Sequence, residues 1–201
     1  MLVSASADHL LIFARQPELG RVKTRLAQGI GAEAALVVYE ELLAHTRTVV
    51  EALSVTTTVW LSEPFRAELP DAWAGFTQHP QPPGDLGNRM QHAFEAAFAA
   101  GATRIVIVGT DCPGLTPEHV RAAFAHLATA EVVLGPATDG GYYLLGMKQV
   151  HSALFQQKAW STDTVLAATI ADAHQLGLSV QLLSPLRDVD TAADLRAWRA
   201  G

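Results

Sequence analysis

Ile105-Val-Ile-Val108 constrains the chain most, because four consecutive β-branched residues pass directly into Gly109-Thr-Asp-Cys-Pro113. An apolar run without alternation is the pattern of a strand covered on both faces. Gly109 frees the backbone and Pro113 withdraws a donor, so the strand is expected to stop near Asp111. Its carboxylate then stands at the C-terminal edge of the sheet, where open α/β sheets bind ligands. Beyond it, Thr116 is a helix cap with Pro117 at the first helical position, and Val120, Phe124 and Leu127 form an inward face.

Similar units recur along the chain. Residues 10–14 read as a short buried strand, followed by a loop in which Arg15, Arg21, Lys23 and Arg25 crowd around one glycine, Gly20. The spacing of Leu36, Tyr39, Leu43, Val50 and Leu53 predicts an amphipathic helix over 32–53 that serves as scaffold. Residues 55–61 are a second strand and 75–78 a weak third. A helix follows, entered at Asp85 and facing inward through Met90, Phe94, Ala97 and Phe98. Strands are expected over 132–137, 142–147 and 179–183, with helices over 164–176 and from Thr191 onward. Thr191 and Asp194 form a capping box at that last helix. Alternating strands and helices in 201 residues, 49% of them hydrophobic, predict one domain over 1–201. The expected fold is a three-layer αβα sandwich around a mostly parallel, mixed sheet, Rossmann-like in plan.

Several function classes are disfavoured. The formal net charge is −6 and no basic block occurs, which argues against a general nucleic-acid binder. No apolar run approaches the roughly 20 residues that span a bilayer, and residues 1–14 have neither the positive start nor the uninterrupted core of a secretory signal. A single cysteine, Cys112, forms no intrachain disulfide and suits a reducing cytoplasm. Eight histidines show no zinc spacing, and no activating base is legible beside Cys112. The strings of a P-loop, a hydrolase elbow and a dinucleotide fingerprint are all missing.

What remains is a constellation of charge at one sheet edge. The cationic loop, Asp111, Asp139 and Asp190 each follow, or lie close behind, an expected strand. Two carboxylates about 4 Å apart repel by a few kcal/mol at an effective dielectric near 20, and a divalent cation relieves that. Mg2+ is the natural choice and Mn2+ a substitute, held by one or two carboxylates plus substrate phosphates. The cationic loop would hold the rest of a phosphate chain; its plain alternative is a solvated charged loop. Asp85 reads equally as a helix cap. Asp139-Gly140-Gly141 allows either close approach of backbone to a ligand or a tight turn, and that turn does not explain both glycines. Asp190 is read either as part of the helix entrance or, since Thr191 supplies the cap, as a carboxylate that faces Asp111 across one ion.

At these residues the chain resembles the nucleotide-diphospho-sugar transferase superfamily of GT-A fold over nearly its full length. Within it the likeness is to an uncharacterised bacterial branch labelled as glycosyltransferases, and next to guanylyltransferases acting on phospholactate or phosphoenolpyruvate. Six strings carry it in order: Phe-Ala-Arg-Gln-Pro with Gly-Arg-Val-Lys-Thr-Arg-Leu, Gly-Asp-Leu-Gly-Asn-Arg-Met, Gly-Thr-Asp-Cys-Pro-Gly-Leu, Asp-Gly-Gly-Tyr-Tyr-Leu-Leu-Gly, Trp-Ser-Thr and Asp-Val-Asp-Thr-Ala-Ala-Asp-Leu. The resemblance implies that Asp111 binds the metal with Asp190 as a second ligand, and that Lys23 and Arg25 contact nucleotide phosphates. Lys23 and Asp111 are thus the expected catalytic residues, with Arg15 and Arg21 completing the nucleotide site. It further implies Asp85 and Gly87 near the nucleobase, and Asp139, Gly140, Gly141 and Ser161 near the acceptor. Two departures stand out. The first loop is not glycine-rich, and Asp111 sits in Asp-Cys-Pro; the only Asp-x-Asp, Asp188 to Asp190, lies near the C-terminus.

The leading expectation is an Mg-dependent transferase that moves a nucleotidyl group from a nucleoside triphosphate to a small, phosphorylated acceptor and releases pyrophosphate. One alternative is a glycosyltransferase using a nucleotide sugar. Another is a nucleotide-binding module without turnover. The nucleobase, the acceptor and the oligomeric state stay open at this point.

Overall fold

The computed structural model describes residues 8–62 and 66–201. The signal-peptide reading of residues 1–14 therefore falls in part outside the described residues. β1 (Asp8–Ala14) is flanked by β2 (Thr56–Leu61) and β4 (Arg104–Val108), both parallel to it, and β3 (Thr77–Pro80) lies parallel beyond β2. β6 (Tyr142–Met147) runs antiparallel between β4 and β5 (Val132–Pro136), and β7 (Val180–Leu182) closes the far edge parallel to β5. The strand order is β3-β2-β1-β4-β6-β5-β7. This is the expected mixed, mostly parallel sheet.

The central strands are apolar on both faces because both faces are covered. Leu10, Ile12, Val106 and Val108 pack toward α2 (Ala32–Glu51) and α4 (Pro117–His126), where Tyr39, Leu43, Val120 and Phe124 meet them. Leu11, Ile105 and Ile107 point the other way. They pack toward α3 (Leu86–Ala99) and α5 (Val165–Gln175) through Met90, Phe94 and Ala173. Side chains of Leu and Ile, buried whole at about 1.5–3 kcal/mol each, thus hold both layers to one sheet.

Three features differ from the expectations. Residues 24–30 are not loop but α1 (Thr24–Ile30), so Arg25 stands on a helix. This helix carries Gly29 and no side-chain cap, and nothing local would stabilise it alone. It forms because Leu26, fully buried, packs with Val38 and Leu42 of α2 and with Leu195 and Trp198 of α6 (Ala192–Ala200). A Cβ on Gly29 would lie 2.9 Å from that of Ala192, so the glycine lets α1 and α6 close together. The third strand begins two residues later than expected, at Thr77. The last strand, whose place in the sheet the sequence leaves open, is shorter than the expected 179–183 and lies at the far edge, next to β5.

Candidate active site

β1 and β4 are parallel neighbours, so the segments that follow Ala14 and Val108 emerge side by side. Tyr39 joins them. Its hydroxyl accepts from Arg15 N at 2.9 Å and donates to Arg15 O at 3.1 Å, and it also reaches Thr110. Burial, reinforced by the nearby Asp111 charge, pushes this phenol up to about 12, so it remains a neutral clamp.

The loop that starts at Arg15 ends at Lys23, which enters α1 with φ 48 and ψ 43, an unusual backbone for a residue with a side chain. Val22, 3% exposed, anchors the preceding position. From there the Lys23 ammonium reaches both candidate ligands, at 2.6 Å from Asp111 Oδ1 and 2.9 Å from Asp190 Oδ1. Its side chain is 5% exposed, whereas those of Asp111 and Asp190 are 47% and 37% exposed. Burial alone would lower the lysine pKa, but the two carboxylates outweigh it and the net shift is upward. One position beyond Thr24, Arg25 Nη1 stands 3.6 Å from Asp190 Oδ2.

Asp190 arrives by an irregular segment rather than at the end of a central strand. After β7, Leu186 pairs with Ala137, and Val189 N donates to Asp111 O at 3.0 Å. Val189 is fully buried against α1 and α2, while Thr191 accepts from Asp194 N and caps α6. The Asp190 carboxylate is thereby left for the cleft. Beneath it the Cys112 thiol donates to Asp188 Oδ1. Burial, together with the charges of Asp139, Asp111 and Asp190, pushes Asp188 up to about 6. Burial, then Asp188, pushes the thiol well above its ordinary value. Such a thiol is a hydrogen-bond donor, not a nucleophile.

Around these groups opens a cleft of about 650 Å³. Arg15, Arg21, Lys23, Arg25 and Arg89 line it against two carboxylates, Asp111 and Asp190. A protein of formal charge −6 therefore gathers five cations at one edge. Phe13, Leu86 and Met90 supply an apolar wall, and Ser62 and Gln81, just beyond β2 and β3, extend the lining.

Residues 45–162 match the family model described as "Uncharacterized protein conserved in bacteria (DUF2064)". The chain belongs to this family. A crystal structure from Desulfovibrio desulfuricans G20, of a protein assigned as a nucleotide-diphospho-sugar transferase, is similar to the DUF2064 protein with a TM-score of 0.89 and 32% identity. The match covers 96% of this chain and 86% of that one. More distant likeness, in fold alone, extends to the inositol-1-phosphate CTP transferase from T. maritima (TM-score 0.62, 16% identity, 95% and 93% covered). It extends also to Rv0371C from Mycobacterium tuberculosis H37Rv in complex with manganese (TM-score 0.55, 16% identity, 98% and 100% covered). No curated protein matches the chain. The DUF2064 protein thus has the fold expected from its six strings, that of nucleotidyltransferases and nucleotide-diphospho-sugar transferases.

Of the residues singled out from sequence, Arg15, Arg21, Lys23, Arg25, Asp111, Ser161 and Asp190 line the one cleft. Asp85, Gly87, Asp139, Gly140 and Gly141 are not among its lining residues. Asp85 caps α3, accepting from Asn88 N at 2.8 Å. Gly87 lies under the 155–160 segment, where a Cβ would stand 2.3 Å from Phe155 O. Both glycines of the pair have local reasons. Gly140, at φ 90, would press a Cβ to 2.1 Å from Asp163 O, and a Cβ on Gly141 would crowd Asp139 Oδ1 at 3.2 Å. Tyr39 and Arg89 are among the lining residues that sequence reasoning missed. Tyr39 was legible only as part of a helical stripe, and Arg89 only as one position in Gly-Asp-Leu-Gly-Asn-Arg-Met.

Among the described residues, no group of three or more His, Cys, Asp and Glu is arranged to hold a metal. The pair Asp111 and Asp190 nevertheless fits a hard cation. Both offer oxygen only, both open to the cleft, and both already share one positive charge, that of Lys23. Two carboxylates plus ligand phosphates are a usual set for magnesium. No helix among the described residues is long and apolar enough to cross a membrane.

Proposed function

We propose that the DUF2064 protein is a nucleotide-using transferase whose cleft takes the phosphates of a nucleoside triphosphate and passes the nucleotidyl group to a small phosphorylated acceptor. The observation that carries this reading is the grouping of five cations around Asp111 and Asp190 at the ends of β1 and β4. Such a site attracts a polyphosphate far more strongly than an uncharged molecule.

Arg15, Arg21 and Arg25 meet the phosphate oxygens from the loop and from α1, and Tyr39 fixes the backbone at Arg15. Phe13, Leu86 and Met90 offer apolar contact to the nucleoside. Asp111 and Asp190 hold Mg2+, or Mn2+ in its place, which supplies charge neutralisation at the reacting phosphate. An acceptor oxygen bonds to the α-phosphorus, the bond from that phosphorus to the bridging oxygen breaks, and pyrophosphate leaves. Fixed cations that face the developing charge stabilise this step. Ser161 lies on the acceptor side of the cleft in this scheme, and Gly140 packs under the neighbouring Asp163 backbone.

The assignment of the Desulfovibrio desulfuricans G20 structure favours a second reading, transfer of a sugar from a nucleotide sugar in the same cleft. One experiment tests both. Thermal shifts are recorded with each nucleoside triphosphate and nucleotide sugar, with and without Mg2+ or Mn2+, because a ligand of the native state raises stability by mass action. Product analysis with the best ligand follows. Pyrophosphate supports nucleotidyl transfer and nucleoside diphosphate supports glycosyl transfer. No metal-dependent shift with any nucleotide would sink both.

A further inference from the structure

The ammonium of Lys23 sits where the two carboxylates converge, 2.6 Å from Asp111 and 2.9 Å from Asp190, on a side chain that is 5% exposed. It lines the cleft with its charge already paired, not as a free phosphate-binding cation. We propose that Lys23 is an internal counter-ion, which neutralises Asp111 and Asp190 while the cleft is empty and moves from them to ligand phosphate when a divalent cation binds. This inference rests on the proposal that Asp111 and Asp190 hold that cation.

Three observations support the exchange. First, the carboxylates are far more exposed than the lysine, so a cation entering from the cleft meets their outer oxygens without passing Lys23. Second, an ammonium and a divalent ion repel each other at such a separation, so both cannot share one carboxylate pair without cost. Third, lysine carries its charge on a flexible four-carbon stem, which lets the head move while the backbone stays in place. The anchoring of Val22 and Leu26, 3% and 0% exposed, keeps that backbone fixed on both sides. Arg25, already 3.6 Å from Asp190 Oδ2, remains beside the carboxylates after the exchange.

Competition of this kind has a distinctive sign. A lysine that served only phosphate, or only the fold, would leave intrinsic metal affinity unchanged or lower when removed. A competing counter-ion would raise it. Manganese binding, followed without nucleotide by the loss of the free aqua-ion signal in electron paramagnetic resonance, reads the difference. Lys23→Met keeps most of the stem and removes the charge. It should bind manganese about tenfold more tightly than the unaltered protein, while its affinity for a nucleoside triphosphate falls. Lys23→Arg should resemble the unaltered protein in manganese affinity, and Asp111→Asn should bind none.

If Lys23→Met binds manganese no more tightly than the unaltered protein while Asp111→Asn still abolishes binding, the inference is overturned and the metal site stands. If none of the proteins binds manganese, with or without triphosphate, both fall. A measurement on the unaltered protein covers the case in which Lys23→Met does not fold. Acylation of Lys23, mapped by mass spectrometry, should be slow in the empty protein and severalfold faster once manganese saturates the site. No change on saturation overturns the proposal.

Discussion

Cys112 donates its thiol hydrogen to the carboxylate of Asp188, a contact that ties the turn after β4 to the segment delivering Asp190. Cys112 is 4% exposed and its thiol is held protonated by burial and by Asp188. The folded protein should therefore resist alkylation at pH 8 and react fully only in denaturant. Cys112→Ser preserves a donor, whereas Cys112→Ala leaves Asp188 without one and should cost about 1–3 kcal/mol in urea unfolding. Rapid alkylation of the native thiol, or equal stability of the two variants, would contradict this account.

Tyr39→Phe removes both hydrogen bonds to the Arg15 backbone with almost no change of shape. A stability loss of about 1–2 kcal/mol is expected, since two neutral hydrogen bonds to a 3%-exposed residue are broken. Because Arg15 lies where the cleft begins, triphosphate affinity measured by calorimetry should fall as well. An unchanged affinity would mean that the clamp serves stability only.

His9 on β1 shares a 2.9 Å hydrogen bond with Thr58, and burial lowers its pKa below the ordinary 6.5. The unfolded chain then takes up a proton that the native state resists. Stability from this group is complete above pH 6.5 and is lost as pH falls from there through the lowered native value. His151 shifts in the same direction, whereas Asp188, raised to about 6, has the opposite slope between its ordinary value and pH 6. Comparing His9→Gln with the unaltered protein isolates the first term. The variant should lose less stability between pH 7.5 and pH 5.5, and parallel curves would refute the assignment.

Gly140→Ala tests whether the glycine pair is there for packing. At φ 90, with the Asp163 carbonyl oxygen 2.1 Å from where the Cβ would stand, the substitution should cost about 1–3 kcal/mol and displace the backbone at Asp163. Chemical denaturation measures the cost, and a neutral substitution would return the pair to a ligand-facing role.

The sheet and its acidic turn were legible because their signals are local: the β-branched run, Gly109 and Pro113 lie within nine residues of one another. The same holds for the loop cations. α1 was not legible, since a seven-residue helix with no side-chain cap is held by Val38, Leu42, Leu195 and Trp198, which lie elsewhere in the chain. The path to Asp190 escaped for a similar reason. The sequence places Asp190 only as lying close behind an expected strand, whereas Val189 reaches Asp111 through a backbone hydrogen bond outside any strand. Asp85 shows the opposite case, where the plain reading as a cap describes what its side chain does.

The bridge from Lys23 to Asp190 joins residues 167 positions apart, so it closes most of the polypeptide into a single loop. Contacts of such separation form late, because the entropy of closing the intervening chain must be overcome before they contribute. During synthesis the cations and Asp111 leave the ribosome well before Asp190 does. All the residues of β1 to β6 thus precede Asp190 in the order of synthesis. If Asp190 acts as proposed, nucleotide binding at this cleft would report that the segment carrying Asp190 has docked.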